Sequence, residues 1–211
     1  MISCSPENHQ QENRLVLTTP SSIAGNYQVI LRPVNNDLSG WIPNGKSDIR
    51  IDEERMELIT WVDDSSSVTH RQYILSGNRC PDARDDSNQD GVIDIMETLE
   101  VAGKILIPLD DELETQLTPD ERFPVGNFLY QKGINLNVME EDLRAPDSET
   151  RDHIIKLAQG EKFIMENKVM IILGVSEKKN LPGSVRTLVG VSPQLSTPIV
   201  CGIIHRLHMP Y

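Results

Sequence analysis

Twelve consecutive residues carry the chemistry that is easiest to read in this chain: Asp86-Ser87-Asn88-Gln89-Asp90-Gly91-Val92-Ile93-Asp94-Ile95-Met96-Glu97. Calcium is a hard cation that takes oxygen ligands. A twelve-residue loop supplies them from positions 1, 3, 5, 7, 9 and 12, with Gly at position 6 for a sharp turn. Asp86, Asn88 and Asp90 offer side-chain oxygens here, and Val92 offers its main-chain carbonyl. Asp94 can act directly or through water, and Glu97 closes the shell with two oxygens. Gly91 holds the turn, and Ile93 is the apolar residue expected to pin the loop to its neighbour. With each specified type at roughly 5–20% background, a chance match anywhere in the chain is on the order of one in a thousand. Mg²⁺ fits such a loop poorly, because it demands a smaller octahedral shell.

A calcium sensor needs a helix on each side of its loop and usually a second loop packed against the first. Upstream, Cys80-Pro81-Asp82-Ala83-Arg84 leaves no room for a proper entering helix, and downstream only a short helix, Met96 to Val101, fits before Gly103. No second loop of this pattern occurs in the chain. The expectation is therefore a single structural site, of the weak kind (about 10⁻⁴ to 10⁻³ M) that fills where calcium is plentiful.

Other chemistry is sparse. There is no nucleophile elbow, phosphate-cradling Gly loop, HExxH or CxxC, and no catalytic residue is assigned. His205 and His208 would approach each other only on a helix, and His70 reads as one polar residue on a half-exposed strand.

The segments flanking the loop read as strands. Tyr27 to Leu31 alternates and runs into Pro33; Ile49 and Ile51, then Met56, Leu58 and Thr60, alternate around the Asp52-Glu53-Glu54 turn as a hairpin with one wet face. Val68 to Leu75, Ile105 to Ile107, Phe128 to Val138, Val169 to Val175 and Ile199 to Ile204 complete the series. One further helix is expected over residues 147–158, capped by Asp147 or Ser148 and ended at Gly160. The fold class this implies is mainly β: β-sandwich-like antiparallel sheets, an inserted calcium loop and one or two short helices. Residues 1–13 read as a flexible tail, and residues 14–211 as a single β-rich domain.

The 211 residues carry 20 Lys and Arg against 32 Asp and Glu, a net charge of −12, which argues against a nucleic-acid partner. No stretch approaches the ~20 apolar residues of a membrane-spanning helix. Ser3 before Cys4 resembles the end of a bacterial lipoprotein cleavage site, which would put a lipid anchor on Cys4; an ordinary exposed cysteine fits equally well. The three cysteines are Cys4, Cys80 and Cys201. An odd count suits one lipid-bearing Cys plus a Cys80–Cys201 disulfide, which is the expected pairing; spacing alone does not exclude two buried free thiols in a cytosolic protein.

The run His70-Arg71-Gln72-Tyr73-Ile74, then Arg79-Cys80-Pro81, the loop itself, and Pro198-Ile199-Val200-Cys201-Gly202 together resemble secreted bacterial proteins similar to the CHRD (chordin-type) β-domain. The resemblance covers roughly residues 45 to 205, and the Arg-Cys-Pro lead-in to the loop is its most specific part. It implies an extracellular β-sandwich and a Cys80–Cys201 pair. The chain departs from the family's His-x-Gln-His-Ile-His strand, since Tyr73 and Leu75 stand where histidines are expected. A transition-metal site there would be left with His70 alone, and a lone imidazole holds such a metal poorly.

The functional expectation is a calcium-stabilised, non-enzymatic cell-envelope or secreted protein with a binding or structural role and an unidentified protein or envelope partner. The alternatives are a metal-dependent or redox enzyme whose site is dispersed in sequence, and a cytoplasmic calcium-binding protein.

Overall fold

The computed structural model describes residues 23–35, 38, 42–63, 68–109, 124–137, 139, 155, 157, 161–176 and 178–208. Within them lie strands β1 (Gly25–Pro33), β2 (Asn44–Ile51), β3 (Arg55–Asp63) and β4 (Gln72–Leu75), helix α1 (Ile95–Ala102), strands β5 (Ile105–Pro108), β6 (Phe128–Asn135) and β7 (Val169–Leu173), a one-turn helix α2 (Pro193–Ser196) and strand β8 (Pro198–Leu207). The strands form one antiparallel sheet in the order β5-β4-β7-β8-β1-β2-β3-β6. The mainly β, antiparallel architecture expected from the sequence is present, with the two layers realised as one sheet curled on itself. The curl is fastened where the stretches leading into β4 and β6 meet: the His70 amide donates to the Pro124 carbonyl at 2.7 Å and the Gly126 amide to the Val68 carbonyl at 2.9 Å.

The concave side of the curl holds the main core, including Tyr27, Val29, Leu31, Ile49, Met56, Leu58, Ile74, Ile107, Tyr130, Met170 and Ile204. Each fully buried aliphatic side chain contributes roughly 1.5–3 kcal/mol relative to exposure. The convex side differs between the two halves of the sheet. Over β1, β2, β3 and β6 it faces solvent, so β2 and β3 alternate strictly between exposed and buried residues. Over β4, β5, β7 and β8 it is roofed by α1, whose Ile95, Leu99 and Ala102 pack with Tyr73, Leu75, Ile105, Val169, Ile171, Leu173 and Leu188. Covering on both faces explains why Val169–Leu173 is apolar without alternation.

The structure corrects the reading of His70. The strand is not half-exposed: His70 is fully buried, with Nδ1 3.0 Å from the Leu173 carbonyl oxygen and its ring 5.7 Å from that of Phe128. Phe128 on β6 and Leu173 on β7, both remote from His70 in sequence, supply that cover. Edge strand β6 carries Lys132 at an inward-facing, half-buried position between Tyr130 and Ile134. A charge placed there discourages pairing with a second sheet edge.

The helix expected over 147–158 falls mostly outside the described residues. Ile155, within it, donates its amide to the Ile105 carbonyl on β5. The tail expected over residues 1–13 and Cys4 also lie outside them.

Cys80 and Cys201 form a disulfide, S–S 2.06 Å and Cα–Cα 5.9 Å, linking the lead-in of the acidic loop to the centre of β8. The expected pairing is thus present, and the two cysteines are not free thiols. The sequence separation is 121 residues, and closing a loop of that size removes about 4–5 kcal/mol of unfolded-state entropy on the chain-entropy account. The Cys80→Ser/Cys201→Ser variant is expected to lose several kcal/mol in urea unfolding; an unchanged midpoint would contradict the bond's structural role.

Candidate metal centre

The lead-in to the acidic loop is braced by ion pairs. Arg79 meets Asp85 through two parallel hydrogen bonds of 2.8 and 2.9 Å, and Arg84 folds back on Asp82. Hydrogen bonds from the Arg84 side chain and amide hold the Asp82 carboxyl well below the usual carboxylate range, and Arg79 lowers Asp85 likewise. Asp82 caps a single 3-10 turn, Ala83–Asp85, in place of an entering helix.

The loop is then drawn round by its own side chains. Asp86 Oδ1 and Oδ2 accept from the amides of Asp90 and Gly91, at 3.2 and 2.8 Å. Asn88 Oδ1 accepts from the Asp90 amide at 2.9 Å, and Asp90 Oδ1 from the Val92 amide at 2.8 Å. Two residues take left-handed backbone, Gln89 (φ 57°) and Gly91 (φ 84°). No atom lies within 4 Å of where a Gly91 Cβ would sit, so backbone conformation rather than space calls for glycine there.

At its far end the loop runs into α1 through a reciprocal cap. The Glu97 amide donates to Asp94 Oδ1 at 2.9 Å, and the Asp94 amide donates to Glu97 Oε2 at 3.0 Å. Both carboxylates are fully buried, at 0% exposure. Glu97 Oε1 also accepts from the Ser87 amide and hydroxyl, each at 2.8 Å, which closes the loop onto its own start. The helix ends at Ala102 with Gly103 next, as its length in sequence suggested.

Three tethers from remote segments hold this loop against the sheet, and only the disulfide was foreseen. Asn35, just past β1 and 8% exposed, donates Nδ2–H to the Ile93 carbonyl and accepts from the Ile93 amide at Oδ1, both at 2.9 Å; it also donates to the Pro198 carbonyl. The carboxamide thus bonds position 8 of the loop as a neighbouring strand would. Arg186 is the third tether. Its amide and Nε donate to Asp94 Oδ2 at 2.9 and 3.1 Å, Nη2 lies 3.6 Å from Glu97 Oε1, and Nη1 lies 3.4 Å from Glu100 Oε1. The hydrogen bond to Asp94, with the charges of Asp94, Glu100 and Glu97, raises the guanidinium's pKa further above its already high value. Nearby, the Ser184 hydroxyl donates to Asp90 Oδ2.

All six residues expected to hold an ion therefore lie on one ordered turn, and their oxygens suit a hard cation: four carboxylates, an amide and a main-chain carbonyl. They are spread around the turn rather than converged. Among the described residues, no three His, Cys, Asp or Glu side chains stand together as a metal-holding group. Asp94 already accepts hydrogen bonds on both oxygens, from the α1 cap and from Arg186. His205 lies on β8, not on a helix. The close approach to His208 that a helical turn would give is therefore lost. Neither a family model nor a curated protein matches this chain.

Asn35→Ala would leave the buried Ile93 amide and carbonyl unpaired, and at roughly 1 kcal/mol per lost bond it is expected to destabilise the fold by about 2–3 kcal/mol. Urea unfolding in EGTA checks this without any contribution from metal. A loss below about 0.5 kcal/mol, the range of ordinary surface substitutions, would mean the tether carries little.

Proposed function

We propose that the chain is a calcium-stabilised, non-enzymatic cell-envelope or secreted protein with a binding or structural role. One Ca²⁺ is held by Asp86, Asn88, Asp90, the Val92 carbonyl and Glu97, with Asp94 contributing through water. The observation that carries the reading is the loop 86–97 itself: it places the full oxygen donor set on a turn that Gly91 permits and that Asn35, Arg186 and the disulfide fix in place. When bound, the ion supplies a charge-dense cross-link between the two ends of the loop and thereby braces the roof over β4, β7 and β8.

An extracytoplasmic location is supported by the Cys80–Cys201 disulfide, because such bonds persist in oxidising compartments. Among the described residues no helix is long and apolar enough to cross a membrane. The resemblance to secreted CHRD-like proteins agrees with this location, and a lipid on Cys4 would add an envelope anchor. A binding role is supported by the solvent-facing side of β1, β2, β3 and β6. There Ile30, Lys46, Trp61 and Leu129 stand in register across the four strands, with Ile59 beside Trp61. The four apolar members are 43–70% exposed, an apolar row on an otherwise polar face and a form suited to a partner surface.

The test is thermal unfolding of wild type and Glu97→Gln, with about 2 mM CaCl₂ or with EGTA. At millimolar calcium and a Kd near 10⁻⁴ M, mass action adds roughly 2 kcal/mol to the folded wild type, and the gain should disappear in the variant. Equal melting temperatures in calcium and EGTA would overturn the calcium assignment.

A further inference from the structure

Glu97 is the residue on which calcium binding turns, and it is already engaged. A bidentate carboxylate at position 12 is what completes a calcium shell. Yet Oε1 of Glu97 accepts from Ser87 and faces the Arg186 guanidinium, and Oε2 accepts from the Asp94 amide. An entering ion must compete for this side chain. Its strongest electrostatic rival is Arg186, reaching in from 89 residues downstream of Glu97.

We propose that Arg186 sets the affinity of the loop for calcium, acting as an internal counter-ion that the metal displaces from Glu97. This inference rests on the calcium reading above and adds the residue that tunes it. Asp94 and Glu97 are two carboxylates with no exposure, and burying unpaired charge costs several kcal/mol. Backbone amides at the start of α1 offset part of that cost. The only cation reaching both carboxylates in the described contacts is Arg186. Its planar fork divides among three partners, Nε to Asp94, Nη2 to Glu97 and Nη1 to Glu100, a geometry that a lysine's single ammonium cannot reproduce. The same charge repels Ca²⁺ and holds the ligand the ion needs. Arg186 thus stabilises the folded loop without metal and weakens its hold on metal. Asp94, bonded to Arg186 through both amide and Nε, keeps the arginine near the loop when Glu97 is given up.

A residue with only a packing role would lower stability and affinity together; a displaced counter-ion moves them in opposite directions. In calorimetric titration of the full chain with CaCl₂, Arg186→Gln should bind about tenfold more tightly than wild type, while its melting temperature in EGTA falls. The tenfold figure corresponds to removing a like charge at close range in a partly solvated site. Wild-type protein gives a second reading that does not depend on the variant folding: modification of Arg186 by an arginine-directed dicarbonyl reagent, followed by mass spectrometry, should speed up severalfold when calcium is added. Equal or weaker binding by Arg186→Gln, or a modification rate that calcium leaves unchanged or slows, would overturn the proposal while leaving the calcium site standing. No binding by wild type at millimolar calcium would overturn the calcium reading, and this inference with it.

Discussion

Two carboxylates with no exposure to water, Asp94 and Glu97, sit at the start of α1, and much of the surrounding structure serves to keep them there. Buried charge persists only where hydrogen bonds and opposite charge replace lost hydration. The first turn of α1 provides amides, Ser87 provides an amide and a hydroxyl, and Arg186 provides the cation. Each of these groups belongs to a different segment. Satisfying the two carboxylates therefore fixes the loop, the helix and the 182–188 stretch relative to one another.

That arrangement explains how a short acidic loop can form part of a β-sheet protein's interior. The convex side of β4, β5, β7 and β8 is apolar and needs a cover, and α1 is that cover. An eight-residue helix is too short to be stable alone, so its position must come from tertiary contacts. Asn35 and Cys201 provide anchors from the β1–β8 side of the sheet, one through hydrogen bonds to Ile93 and the other through the disulfide to Cys80. Calcium at the loop would reinforce the same cover from its outer rim. On this view the ion acts on the stability of the fold, and any partner-binding surface lies elsewhere on the sheet.

Local rules made much of this legible from the residues alone. The alternation of Ile49 and Ile51 with Met56, Leu58 and Thr60 gave the β2–β3 hairpin, because one face of that half of the sheet is wet. The oxygen spacing, Gly91 and Gly103 delimited the loop and α1, since turn geometry and helix caps are properties of neighbouring residues. The contacts of Asn35 and Arg186 were invisible for the opposite reason: they lie 58 and 92 residues from the loop positions they bond, and only tertiary folding brings them there. The burial of His70 was hidden on the same ground: the groups against it, the Phe128 ring and the Leu173 carbonyl, lie 58 and 103 residues away.

A crystal structure of the full chain grown in millimolar calcium would show whether the loop holds an ion. One ion is expected 2.3–2.6 Å from oxygens of Asp86, Asn88, Asp90, Val92 and both oxygens of Glu97, with Asp94 reached through water and Arg186 withdrawn from Glu97. A loop without an ion under those conditions, with Glu97 still bonded to Ser87 and facing Arg186, would contradict the calcium assignment.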